Sequence, residues 1–90
     1  MIEMIDFIAV YEKNDGNYAF KSVSLDPSKI SGTEEDTSTK RALLEGRFPE
    51  ELLPETEFTL VFHEGRCYTV VGDKETVTRK ISSRKRILRG

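Results

Sequence analysis

The chain has one cysteine, Cys67, and one histidine, His63, four residues apart around a Glu-Gly turn. A thiolate nucleophile needs a base within hydrogen-bond reach, and zinc needs three or four converging ligands. A two-residue turn at Glu64-Gly65 sets Cys67 opposite Phe62 and points it to the face away from His63. The pair is therefore expected to form neither a catalytic dyad nor a metal site. Carboxylates cluster at Glu34-Glu35-Asp36 and at Glu50-Glu51. Both groups stand where helical stretches begin, where negative charge complements the macrodipole, and neither fits a calcium loop. The glycines are scattered singly, with no Gly-Lys-Ser/Thr and no Gly-x-Ser-x-Gly, so phosphate cradle and nucleophile elbow are both absent. The chain reads as non-enzymatic, with no cofactor and no metal expected.

What remains is a cationic run. Arg79, Lys80, Arg84, Lys85, Arg86 and Arg89 place six basic side chains and no carboxylate in the last twelve residues. Residues 1–57 hold six basic and thirteen acidic side chains, a net of −7, whereas residues 58–90 hold eight and three, a net of +5. Charge divided in this way bears on partners rather than on fold. Cations that meet phosphates release counterions and give salt-sensitive affinity for nucleic acid. No aromatic residue is interleaved with the run, however, and no RNP-like or helix-turn-helix pattern accompanies it. Ile87 and Leu88 within the run suit docking on protein, including the acidic body of this chain or of a second copy. The leading expectation is a small interaction or regulatory module that binds another protein or itself as a homodimer. Nucleic-acid binding through the basic C-terminal segment is the alternative.

The elements that must position these residues are mainly strands. Ile5 to Lys13 and Tyr18 to Leu25 are rich in β-branched and aromatic residues and flank Asn14-Asp15-Gly16-Asn17, a strong hairpin signal. With Asp15-Gly16 as a two-residue turn, Val10 faces Lys21 and Tyr11 faces Phe20. Ile8 and Val10 then share a face with Val23 and Leu25, and Phe7 and Tyr11 share the other with Tyr18 and Phe20. Phe7, Tyr11, Tyr18 and Phe20 become a possible interface, because a ribbon apolar on both faces wants cover on both. Asp26 to Asp36 reads as a polar connection. Thr33-Glu34-Glu35-Asp36 resembles a capping box that starts a helix at Glu34, to end near Glu45 before Gly46. Phe48 to Pro54 reads as one helical turn, with Phe48, Leu52 and Leu53 plugging one end of the core. Glu57–Phe62 and Cys67–Val71 form a second hairpin. Thr76–Ile81 alternates apolar and polar residues and reads as a third strand of that meander.

The expected fold is α+β, in the order ββ-α-βββ, with a mainly antiparallel sheet of about five strands and one main helix. Ninety residues make one domain, placed at 1–83, with 84–90 as a basic tail. At 37% hydrophobic and 33% charged, the chain is too apolar for disorder. The opening Met1–Asp6 carries Glu3 and Asp6 and does not read as a signal peptide. No apolar run approaches a membrane span, so no membrane partner is expected. A lone cysteine permits no intrachain disulfide, and a cytoplasmic setting is expected. The stretch Ile5–Leu44, with its hairpin Val10–Tyr18 and Ile30-Ser-Gly-Thr-Glu-Glu-Asp36 leading to a helix, loosely resembles the N-terminal half of HicB-type antitoxins. That likeness covers under half the chain. Leu25-Asp-Pro-Ser28 stands where that family has Leu-Pro-Gly-Cys, and no residue role carries over.

Overall fold

The structure, a computed structural model, describes residues 3–48 and 52–89, with side chains as far as Ser83. Among these residues five strands form one antiparallel sheet: β1 (Ile5–Glu12), β2 (Tyr18–Leu25), β3 (Ile30–Glu35), β4 (Phe58–His63) and β5 (Arg66–Val71). Two helices, α1 (Thr37–Leu44) and α2 (Lys74–Arg89), accompany them, and a single 3-10 turn, Pro27–Lys29, precedes β3. The element order is β-β-β-α-β-β-α, an α+β domain with the strands arranged β2-β1-β5-β4-β3. The two N-terminal strands therefore join the rest of the sheet through the β1–β5 pair.

Each turn follows from its residues. Glu64 and Gly65 both take positive φ, 50° and 77°, as a two-residue primed turn requires. That turn sets Phe62 opposite Cys67 and His63 opposite Arg66, as expected. The first hairpin differs. Lys13 N–H donates to Asn17 C=O at 2.7 Å and Gly16 N–H to Lys13 C=O at 3.0 Å, closing a three-residue loop of Asn14, Asp15 and Gly16. Only Gly16 of these has positive φ, at 86°, so the loop is a turn followed by a left-handed glycine rather than a primed pair. The extra residue moves the register by one: Val10 faces Phe20 and Tyr11 faces Ala19. Because side chains alternate with period two, that slip exchanges the faces. Ile5, Phe7, Ala9 and Tyr11 lie with Ala19, Lys21, Val23 and Leu25, while Ile8 and Val10 lie with Tyr18 and Phe20.

The main core lies between the sheet and α2, where Ile5, Phe7, Leu25, Ile30, Val61, Val70, Val77 and Ile81 pack as one buried cluster. Thr76–Ile81 is thus helix, not strand. Val77 and Ile81 stand four apart, which suits one face of a helix as well as alternate positions of a strand. Asp73 caps the helix start: its carboxylate accepts the Thr76 N–H at 3.3 Å and its carbonyl accepts the Val77 N–H at 3.0 Å. The carboxylate satisfies one of the orphan donors of a helix start, and the carbonyl bond is the first within the helix. The boundary drawn after Ser83 falls inside α2, which runs on to Arg89 as one helix.

The opposite face of the sheet is covered by α1 and Phe48. Ala42 and Thr39 are the buried residues of α1, and Phe48 stacks on Tyr18 with centroids 4.7 Å apart and on Phe58 at 5.3 Å. The helix starts at Thr37, capped by Asp36, rather than at Glu34. Residues 30–35, expected as a polar link, are strand β3 at the sheet margin, where polar residues are tolerated. At the other end of α1, Gly46 takes φ +79°, and the Gly46 and Arg47 amides donate to Leu43 and Ala42, a Schellman closure. The expected helical turn at Phe48–Pro54 includes residues 49–51, which lie outside those described. Of its three plugging residues Phe48 does pack inward, but Leu53 is 62% exposed.

Candidate partner-binding surface

The basic residues named from sequence sit on α2. Val77 and Ile81 bury one side of this helix, and the Thr78 and Thr33 hydroxyls bond at 3.1 Å, tying it to β3. Lys80 is already engaged: its Nζ donates to the Asp6 carbonyl at 2.8 Å and lies 4.9 Å from the centroid of the Phe7 ring. Arg79 pairs with Glu75 one turn earlier at 2.7 Å, an exposed ion pair of small energetic weight. The side chains of Arg84, Lys85, Arg86 and Arg89 lie outside the described residues. Their backbone continues the same helix, at whose C-terminal end positive charge is favoured by the macrodipole.

The residues named as a possible interface do not form one patch. Phe7 is buried under α2 and Lys80, with 5% of its surface exposed. Tyr18 and Phe20 lie on the other face beneath Phe48. Tyr11 alone is substantially open, at 43%. The Arg47 guanidinium secures this corner: its Nη2 and Nε donate to the Gly16 carbonyl at 2.6 and 2.9 Å, and Nη2 also meets Glu12 at 2.9 Å. Its cationic carbon lies 5.2 Å from the Tyr18 ring centroid.

His63 and Cys67 are separated as their register requires. His63 faces the α2 side, where its Nε2 accepts the buried Asp26 N–H at 3.2 Å and its ring meets Tyr68 edge-on. The lone pair that a base would use is thus occupied. Cys67 faces the α1 side and is exposed, and burial by its neighbours, with the Asp36 and Glu34 carboxylates, pushes its thiol pKa up. A thiol held in its protonated form is a poor nucleophile and metal ligand. Among the described residues no three His, Cys, Asp or Glu side chains gather closely enough to hold a metal ion. No helix among them is long and apolar enough to cross a membrane.

One feature has no signal in the sequence. The β1–β5 ladder consists of two pairs, Ala9–Val70 and Val10–Thr69, and the strands part beyond Val10. A cleft of about 430 Å³ opens there, lined by Tyr11, Lys21, Arg66, Cys67 and Tyr68 among others. The Lys21 ammonium lies 5.5 Å from the centroid of the Tyr11 ring. The lining thus carries two cations, Lys21 and Arg66, and two phenols, Tyr11 and Tyr68. They come together only because strands distant in sequence meet. The most networked carboxylate, Asp36, also joins distant elements: it accepts the Thr39 N–H at 3.0 Å, the Ser38 hydroxyl at 3.0 Å and the Thr69 hydroxyl of β5 at 3.2 Å.

No protein-family model matches this chain, and neither does any curated protein or solved structure.

Proposed function

We propose that this chain is a small non-enzymatic interaction module that binds an acidic surface of another protein through the cationic half of α2. The observation that carries this reading is the continuity of α2. Its first two turns are anchored in the core by Val77 and Ile81, and the same helix carries the run Arg79 to Arg89 outward. Cations offered on an already formed helix lose less conformational entropy on binding than cations on a free tail. The division of His63 from Cys67, and the spent acceptor of His63, support recognition over catalysis. A cytoplasmic setting accords with one cysteine whose thiol is kept protonated.

The helical form of the basic run favours one second reading, nucleic-acid binding, since an α-helix fits the major groove and Lys and Arg neutralise phosphates. A pull-down from cells of the natural host separates the two. The full chain and a variant with Arg84, Lys85 and Arg86 changed to Glu are compared, with and without nuclease, over a salt series. The protein-binding reading expects a partner that survives nuclease, weakens with salt and is lost with the charge-reversed chain. Loss on nuclease treatment supports the second reading. Identical captures by both chains refute both.

A further inference from the structure

Strand β2 lies at one margin of the sheet and has β1 on one side only. Which of its backbone groups point outward follows from the hairpin. The bond from Lys13 N–H to Asn17 C=O makes that pair a hydrogen-bonded one. Bonded and non-bonded pairs alternate along an antiparallel ladder, so Tyr11–Ala19, Ala9–Lys21, Phe7–Val23 and Ile5–Leu25 are the bonded pairs. Tyr18, Phe20, Ser22 and Ser24 therefore turn their N–H and C=O groups away from β1. Tyr18 agrees, because its N–H donates outward to the Arg47 carbonyl at 3.0 Å. Arg47 thus fills the margin at Tyr18. At the other end the chain leaves the sheet at Asp26 and Pro27, which open the 3-10 turn. Among the described residues the open stretch is Ala19 to Leu25. Its middle residue, Ser22, is exposed and one of those that point outward.

The other margin, β3, is protected. Its register breaks between Ile30 and Gly32, and it ends in the exposed carboxylates Glu34 and Glu35. Bulges and charges are the usual devices that keep sheet edges from pairing. Strand β2 has eight residues in unbroken register, no proline, and one charge, Lys21.

We infer that β2 is a homodimerisation edge, on which a second copy of the chain pairs antiparallel about a two-fold axis at Ser22. Ser22 then faces Ser22 of the second copy, and Phe20 and Ser24 face each other twice. The outward residues of both strands supply about six N–H···O bonds. On the α2 side Lys21 faces Val23, so the two ammonium groups are not opposed. An axis at Lys21 instead sets them face to face and sends Ser24 to Tyr18, whose N–H Arg47 already takes. An axis at Val23 pushes Phe20 past the strand end to Asp26. The Ser22 axis alone uses the whole open stretch. An isologous, self-complementary contact of this kind closes as a dimer and does not propagate. The inference does not depend on the reading of α2, which packs on a face of the sheet and not along this margin.

The test is light scattering coupled to size-exclusion chromatography, with sedimentation equilibrium up to about 300 µM. The wild-type chain is expected at twice its 10.3 kDa mass. Ser22→Pro removes an outward N–H but none that β1 uses, and edge positions tolerate proline. Ser22→Lys leaves the backbone untouched and sets two ammonium groups directly opposite. Each is expected to weaken the dimer by at least roughly tenfold with an unchanged circular dichroism spectrum. Ser31→Lys on β3 is expected to leave it intact. A wild-type chain that is monomeric throughout, a folded Ser22→Lys chain that dimerises as tightly as wild type, or a dimer lost with Ser31→Lys overturns the inference.

Discussion

Asp36 offers the sharpest test of how this fold is held. Its carboxylate caps α1 through the Thr39 N–H, accepts the Thr39 and Ser38 hydroxyls, and reaches across to Thr69 on β5. Asp36→Ala removes the cap, which costs about 1 kcal/mol. It also leaves the hydroxyl of buried Thr39 without its acceptor, at about 1–2 kcal/mol more. The Ser38 hydroxyl can turn to water and adds little. The expected loss is therefore about 2–3 kcal/mol. With a urea dependence of about 1 kcal/mol per molar for a chain of this size, the unfolding midpoint falls by about 2–3 M. Asp36→Asn keeps an oxygen for the Thr39 N–H and is expected to lose less than half as much. Burial pushes the Asp36 carboxyl upward, but the bonds from Thr39, Ser38 and Thr69 outweigh it and hold its pKa below the ordinary aspartate value. Its charged form therefore stabilises the fold fully above the unfolded pKa of about 3.9, and that contribution is lost as pH falls through the lower folded value. The difference between wild type and Asp36→Asn should shrink below about pH 4 and stay constant above about pH 5. Urea titrations at several pH values measure all three quantities. An Asp36→Ala loss under about 0.5 kcal/mol, or an Asp36→Asn difference that ignores pH, would refute the account.

Three further outcomes follow from the packing and the electrostatics. Ile81→Ala should destabilise by about 2–4 kcal/mol in urea unfolding, because it opens a cavity between α2 and the sheet; Ser82→Ala on the exposed side of the same helix should change almost nothing. Gly72→Ala should also destabilise, since Gly72 takes φ +133° and an added Cβ would stand 3.2 Å from Val77 Cγ2; thermal unfolding reads it as a lowered midpoint. Cys67 should react with a maleimide more slowly than free cysteine at neutral pH, because its raised pKa leaves less thiolate, and Asp36→Asn should speed the reaction by removing one of the charges responsible.

Much of the sheet was readable from local chemistry. The β-branched and aromatic runs marked β1, β2, β4 and β5, and Glu64-Gly65 specified the register of the second hairpin, which in turn divided His63 from Cys67. The first hairpin was readable as a hairpin but not in its register. Asp15-Gly16 serves a two-residue or a three-residue loop equally well, and the choice of the longer one exchanged the faces of Phe7 and Tyr11 relative to Tyr18 and Phe20. Strand β3 carries little hydrophobic alternation because it lies at a margin, so it resembled a link.

The basic residues of the C-terminal third, and the lack of any Gly-rich or multi-histidine motif, were determined by the sequence alone. Whether those cations ride on a strand or a helix was not, because Val77 and Ile81, four apart, satisfy either period. Only packing settled it: the sheet already had five strands, and its α2-side face, with Phe7, Val61 and Val70, needed a helix to exclude water. The cleft beyond Val10 and the open edge of β2 were likewise beyond local reading. Each exists because β1 pairs with β5, a contact between residues some sixty positions apart that no neighbouring side chain announces.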